Sequence, residues 1–381
     1  MRQGFRVLDA DGHMQEPLNI WDTYVERAFY DRRPKVSGHV GRYLFAYEPC
    51  EAFPEGRPNP RPESVFADCE ARYGEALRSW WSLPTRLQAM TQEGIDIQVG
   101  FPTNGNAAVS HHITDPKLQA ALVRAYNNWG IDYCHDSGGK VQFVAILSIL
   151  DVDEAITEVR RLAKHPEVAS VSLPDPGAQR RWSDAEFDPF WATLQDLDLA
   201  ASFHGGGTQN RLFKDYTSSP GLASVSHALS FPLDAMLAMG TLIFGGVLER
   251  FPRLRCSFLE ANAGWVPWWL HRLNDHAVGR QGRFQYGQDV RLEPSEYFRR
   301  QCFVAVDADE GTLPTVVEYL DGANLIFNTD WPHPDAPMPG AVDMFLAQPI
   351  AAEAKRKILW DNSVQLYGGR VVTPQPASAS A

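Results

Sequence analysis

Short apolar runs recur along the chain, and most are followed by a stretch in which apolar positions return every three or four residues. The runs Val7–Met14, Ile95–Pro102, Val141–Ile149, Ala169–Pro174, Leu199–Gly205, Leu254–Ala261, Gln301–Ala308 and Asn324–His333 are rich in Val, Ile, Leu and Phe and predict eight strands. Between them, one helix is expected to start at Asp115, with Pro116 in its first turn and Leu118, Leu122, Ala125, Tyr126 and Trp129 on one face. Another starts at Asp151 and carries Ala155, Ile156, Val159 and Leu162, and Asp184 caps a third holding Phe187, Phe190, Trp191 and Leu194. Leu313–Leu320 is a shorter helix, and Leu233 to Leu248 reads as one rich in Met and Leu. Strand and helix alternating in this way imply parallel pairing. The expected fold class is α/β, a (β/α)8 barrel with an inserted loop or arm after strand 1.

That insertion, about residues 30–90, breaks the pattern. Five prolines fall between Glu48 and Pro62, with Pro34 upstream, and no helical period runs through them. An irregular rim loop or arm is expected there. Of the 381 residues, 1–372 are expected to form one barrel, and 373–381, made of small residues and Pro, a disordered tail.

The candidate chemistry sits at strand ends, where such a barrel builds its site. Asp11-Gly12-His13 places two metal-ligand side chains two residues apart on the first strand, hence on one face, and Asp9 shares it. In a barrel that face points inward, where a charge needs a partner or a metal. His204 ends the fifth strand ahead of Gly205-Gly206-Gly207, which lets a ligand approach the backbone. Asp330 ends the eighth, with Trp331-Pro332-His333 behind it, and Pro332 stops the ladder. Each has a plain structural reading, since Asp-x-His can cap a turn and a lone strand-end histidine is often structural. Together they point to a metal. Glu260 closes the sixth strand, where it can orient a ligand histidine or touch substrate. His227 is expected just before the Met- and Leu-rich helix, His111 and His112 in a loop, and Trp265, Trp268 and Trp269 in packing.

The net charge of −12 works against nucleic acid and anionic membrane, which leaves a small-molecule substrate. No run approaches the ~18 consecutive apolar residues of a membrane helix, and the start has no signal-peptide pattern. Five scattered cysteines read as reduced thiols, so the expected location is cytoplasmic.

From Asp9 to about Tyr367 the chain resembles the amidohydrolase superfamily, in its aminocarboxymuconate semialdehyde decarboxylase-like branch. The segments that carry the resemblance are Asp9 to Pro17, Ala125 to Trp129, His204-Gly205-Gly206, Leu242 to Pro252, Glu260 with Gly264 to Pro267, Thr329 to His333 and Leu359 to Ser363. It implies a distorted TIM barrel with one divalent metal, zinc or manganese, held by Asp11, His13, His204 and Asp330. His227 and Asp330 would be the catalytic acid/base groups, and Asp9, Glu16, Glu260 and His333 would support the ligands or hold a second metal. Two departures stand out. The first ligand position is Asp rather than Glu or His, and Asn328-Thr329 stands where Gly-Ser is usual.

The shared chemistry serves either hydrolysis or non-oxidative decarboxylation of a small aromatic or cyclic carboxylated substrate. Arg57, Arg61 or Arg272 would offset an acidic substrate's charge. A dinuclear iron or iron–manganese oxygenase of the same fold, or its metal-binding partner subunit, is the alternative, with extra ligands around Glu16 and with His227 and His111 or His112 recruited to the second metal. A homo-oligomer is expected, and pairing with a paralogous subunit stays open.

Overall fold

The computed structural model describes residues 1–40, 44–57, 70–71, 74–177, 179–205, 221–277, 290–333 and 336–371. Ten strands are found among them: β1 (Leu8–His13), β2 (Val36–Val40), β3 (Leu44–Tyr47), β4 (Ile97–Phe101), β5 (Val141–Ile146), β6 (Val168–Ser172), β7 (Ala200–His204), β8 (Cys256–Leu259), β9 (Cys302–Val306) and β10 (Leu325–Phe327). Eight of them stand in one sheet in the order β1-β4-β5-β6-β7-β8-β9-β10, the sequential parallel order of a (β/α)8 barrel. Every predicted strand has its counterpart. The contacts divide the chain into two compact units. The first takes residues 1–174, 329–343 and the chain from Gly369, and the second takes 175–328 and 344–368.

In the first unit, β1, β4 and β5 are buried along their whole length, which is why their sequences are nearly continuous apolar runs rather than alternating ones. Asp115 caps helix Pro116–His135 by accepting from the Lys117 and Leu118 N–H groups, and Asp151 caps Val152–Leu162 in the same way from Asp153 and Glu154. Asn127 brackets the end of β5: its amide donates to the Ile146 carbonyl and accepts from the Ile146 N–H, both at 3.0 Å.

Two expectations for this unit change. β1 has one residue more than β4 between the pairs Asp9–Gln98 and Gly12–Gly100, so strict alternation does not run from Asp9 to His13. The insertion is not wholly irregular: β2 and β3 form an antiparallel hairpin, and helix Leu83–Glu93 follows. Ser37, Gly38 and His39 hide the hairpin from a hydrophobic pattern. The expected tail lies outside the described residues, as does Pro58 to Pro62 of the proline-rich stretch.

In the second unit, β8, β9 and β10 are buried throughout. Asn362 fixes the approach to β10 by donating to the Gly322 carbonyl at 2.8 Å and the Leu325 carbonyl at 2.7 Å. Asp184 caps nothing. It accepts from Arg181 N–H at 2.7 Å, a short turn Ala185–Phe187 intervenes, and the helix is Asp188–Asp196. The Met- and Leu-rich helix starts at Ala223 rather than Leu233 and runs to Phe244 through Pro232. Its Ser224–Phe244 stretch is long and apolar enough, by length and composition alone, to cross a membrane.

Candidate metal centre

The first unit gathers most of the candidate residues. β1 ends in Asp11 and His13, both buried, and the chain after β10 returns beside it. The Asp330 N–H donates to the Asp11 carbonyl at 2.8 Å, and the His13 N–H donates to the Trp331 carbonyl at 2.7 Å. These bonds set Asp330 against His13, with Oδ1 3.1 Å from His13 Nε2 and 2.9 Å from His333 Nδ1. The two imidazoles stack with centroids 3.8 Å apart, and Asp11 Oδ1 lies 3.9 Å from His13 Nε2. His13, Asp330 and His333 each offer a ligand atom within 4.8 Å of the others, a spacing one metal ion can span. Burial pushes the Asp330 carboxyl up, but the charge and hydrogen bonds of His333 and His13 outweigh it and hold the group well below the usual carboxylate range.

Asp9 and Glu16 serve protein atoms. Asp9 accepts from Gln98 Nε2 at 2.7 Å, Thr329 Oγ1 at 2.6 Å and Thr329 N–H at 3.0 Å, while burial pushes its carboxyl up to about 6 against those bonds. Glu16 accepts three consecutive backbone N–H groups after β4, those of Thr103 at 3.1 Å and of Asn104 and Gly105 at 2.8 Å. Burial raises its carboxyl as well. The held loop brings Thr103 Oγ1 to 3.3 Å from His13 Nδ1. Gly105 is required for this fit, because a Cβ there would stand 2.3 Å from the Tyr126 ring.

Sequence reasoning missed Arg86. It is fully buried, donates to the His13 carbonyl at 2.7 Å, to Gln98 Oε1 at 2.6 Å and to Tyr133 Oη at 3.0 Å, and lies over the Trp331 ring. Through Gln98 it reaches Asp9, so one chain of hydrogen bonds braces β1 from behind. Gly12 makes room for it, since a Cβ there would sit 2.5 Å from Gln98 Nε2. The signal was present: Arg86, Met90 and Glu93 are the buried positions of helix Leu83–Glu93, at helical spacing, and two of them are charged.

The second unit holds the other candidates. His204 closes β7, with Nδ1 3.0 Å from the Gly205 carbonyl oxygen and Nε2 3.1 Å from Glu260 Oε2. Glu260 and Asn262 both take left-handed backbone conformations, φ +50° and +51°, just past β8. Asn262 donates to Asp307 at 2.5 Å, and Asn328 donates to the other oxygen of Asp307 at 2.9 Å. His227 is not in a turn ahead of its helix. It lies in the second turn of Ala223–Phe244, exposed, with its ring edge against Phe231. In the first unit, His111 and His112 are exposed in a turn, as expected. Arg272 is exposed on a helix of the second unit, Arg57 is half-buried, and Arg61 lies outside the described residues.

The sequence profile of the amidohydrolase family matches residues 13–369. A gamma-resorcylate decarboxylase from Polaromonas sp. (strain JS666) is 22% identical over 291 residues, covering 74% of this chain and 86% of that protein. A 2-amino-3-carboxymuconate-6-semialdehyde decarboxylase from Dictyostelium discoideum is 20% identical over 298 residues, 76% of this chain and 77% of its own length. A dihydroxybenzoic acid decarboxylase from Polaromonas sp. JS666, solved with bound manganese and the inhibitor 2-nitroresorcinol, aligns with a TM-score of 0.69 at 16% identity. It covers 95% of this chain and 97% of that one, a likeness of fold.

Proposed function

Because this chain belongs to the amidohydrolase family, in the branch of the aminocarboxymuconate semialdehyde decarboxylase-like enzymes, we propose that it removes CO₂ non-oxidatively from a small hydroxylated aromatic or cyclic carboxylic acid at one divalent metal ion. The observation that carries the reading is the group of His13, which is buried, with the half-buried Asp330 and His333, in which the two imidazoles hold the Asp330 carboxyl well below the usual carboxylate range. Two relatives whose names are those of decarboxylases, and a manganese-bound neighbour, support the choice over hydrolysis.

Asp11, His13, His204 and Asp330 are assigned as the ligands. Imidazole nitrogen and carboxylate oxygen suit manganese or zinc, and two hard carboxylates in four favour manganese. Bound, such an ion supplies a Lewis-acid contact to a phenolate or carboxylate oxygen of the substrate. In the reaction the bond from ring carbon to carboxyl carbon breaks, its electron pair stays on the ring, CO₂ leaves, and one proton takes the vacated position. Asp330, between two imidazoles, is the group assigned to that proton, and His227 is the second acid/base group that the resemblance implies. Asp9 and Glu16 are left out of the ligand set because protein donors occupy their carboxylates.

Purified protein loaded with Mn²⁺ is expected to release CO₂ from hydroxybenzoates under argon, with a homo-oligomer seen by light scattering. Turnover that requires O₂ and an electron donor, together with two metals per chain, overturns this reading in favour of the dinuclear oxygenase.

A further inference from the structure

We propose that Gln15 selects a hydroxyl group on the substrate by accepting a hydrogen bond from it at Oε1, an inference that rests on the decarboxylase reading above and narrows it to acids that carry such a hydroxyl. Beyond β1 the chain keeps its pairing with β4, the Met14 N–H donating to the Phe101 carbonyl at 2.7 Å. Met14 turns toward Gly100, where a Cβ would stand 2.5 Å from its Sδ, so His13 and Gln15 on either side of it share the opposite face. Gln15 is 2% exposed, and its Nε2 lies 3.4 Å from Thr103 Oγ1. That hydroxyl stands 3.3 Å from His13 Nδ1 and 3.5 Å from His333 Nε2, which puts the amide one side chain away from the candidate metal group.

A buried amide is costly unless both of its ends are bonded. Gln98 and Asn127 in the same unit meet that condition: Gln98 accepts from Arg86 and donates to Asp9, and Asn127 donates to the Ile146 carbonyl and accepts from the Ile146 N–H. Gln15 does not. Among the described residues its side chain makes only the long bond to Thr103, and Oε1 has no partner. Gln142 also leaves Oε1 unbonded, but its Nε2 makes two bonds of 2.7 Å and it lies at the amino end of β5, away from the end where such a barrel binds substrate. Gln15 stands just past the carboxyl end of β1, at the substrate end, and offers an acceptor. A hydroxyl supplies the matching donor, whereas an ionised carboxylate has none and is repelled by the amide oxygen. The amide therefore sets which edge of the ring faces Gln15, the hydroxyl toward it and the carboxylate away.

The test measures, by calorimetry on Mn²⁺-loaded protein, the affinities of benzoate and of 2-, 3- and 4-hydroxybenzoate for wild type, Gln15→Met and Gln15→Asn, with metal content and thermal melts as checks of site and fold. Gln15→Met, close in size and without an acceptor oxygen, is expected to weaken one of the three hydroxybenzoates at least ~10-fold while benzoate stays within ~2-fold. Gln15→Asn, which keeps the amide on a shorter stem, is expected to weaken the same isomer by less. Unchanged affinities overturn the proposal, since the amide oxygen would then meet only solvent. So does an equal fall for all four acids, which would make Gln15 a residue that merely holds Thr103 in place. Should Gln15→Met not fold, the same selective loss is required of Gln15→Asn. If wild type itself binds none of the four acids, the decarboxylase reading fails before any variant is compared and the proposal falls with it, so the two failures are told apart.

Discussion

Two histidine–carboxylate pairs share one spacing, 3.1 Å, and are braced in different ways. His13 and Asp330 are joined to each other's strands by backbone hydrogen bonds and backed by Arg86, Gln98, Asp9 and Thr329. His204 and Glu260 come from neighbouring strand ends, and their geometry rests on a left-handed turn and the amides of Asn262 and Asn328 on Asp307. The first is a charged network in the core, where removing one member exposes the cost of all the others. The second is a set of hydrogen bonds between successive strand-end loops, reached by solvent and each worth roughly 1 kcal/mol.

The harshest way to break the comparison is to empty the first pair. His13→Ala with Asp330→Ala is expected to take metal content from about one ion per chain to below about a tenth, read by elemental analysis, since two assigned ligands go at once. Metal retained at full occupancy would mean that the first pair is not a ligand site. Next, Arg86→Met should cost about 3 kcal/mol in urea unfolding because Gln98, Tyr133 and the His13 carbonyl lose their buried donor, whereas Asn328→Ala should cost about 1 kcal/mol. Equal losses would erase the distinction between the two scaffolds.

His227→Asn should lower turnover ~10²-fold, equivalent to about 2.7 kcal/mol, with metal content and melting temperature unchanged. Full activity would remove His227 from the mechanism and leave proton transfer to Asp330. The smallest effect concerns pH. Burial first, then the charge of Asp175, raises the Asp234 carboxyl to about 7. An acid raised on folding gives its full stability below its unfolded value near ~4, and that stability is lost as pH rises toward 7. Asp234→Asn should therefore gain on wild type between pH 4.5 and 7.5. The expected gain is about 1 kcal/mol, because solvent reaches and screens the group. A melting-temperature difference that stays constant across that range contradicts the assignment.

Much of this was legible in the chain because parallel strands buried on both faces are written as apolar runs, and because Asp115 and Asp151 cap their helices through contacts a few residues away. What escaped depends on distant partners. The extra residue in β1 exists only relative to β4, so nothing local to Asp9-Ala10-Asp11 marks it. Pro232 reads as a helix start and sits inside a helix that continues through it. Arg86 looks like a surface charge until its three acceptors, one of them across the chain at His13, are placed around it. The candidate ligands stood out for the opposite reason: imidazole and carboxylate recur at the close of several apolar runs, where such a barrel builds its site.

Glu16 has a bearing on traffic. A single carboxylate ties down three successive amides after β4, so that loop is a wall and not a door. For the reaction proposed above, substrate and product are expected to exchange elsewhere. In hydrogen–deuterium exchange, the amides of Thr103, Asn104 and Gly105 should be among the slowest of any loop, and ligand should leave their rates alone while it slows those of the true entrance.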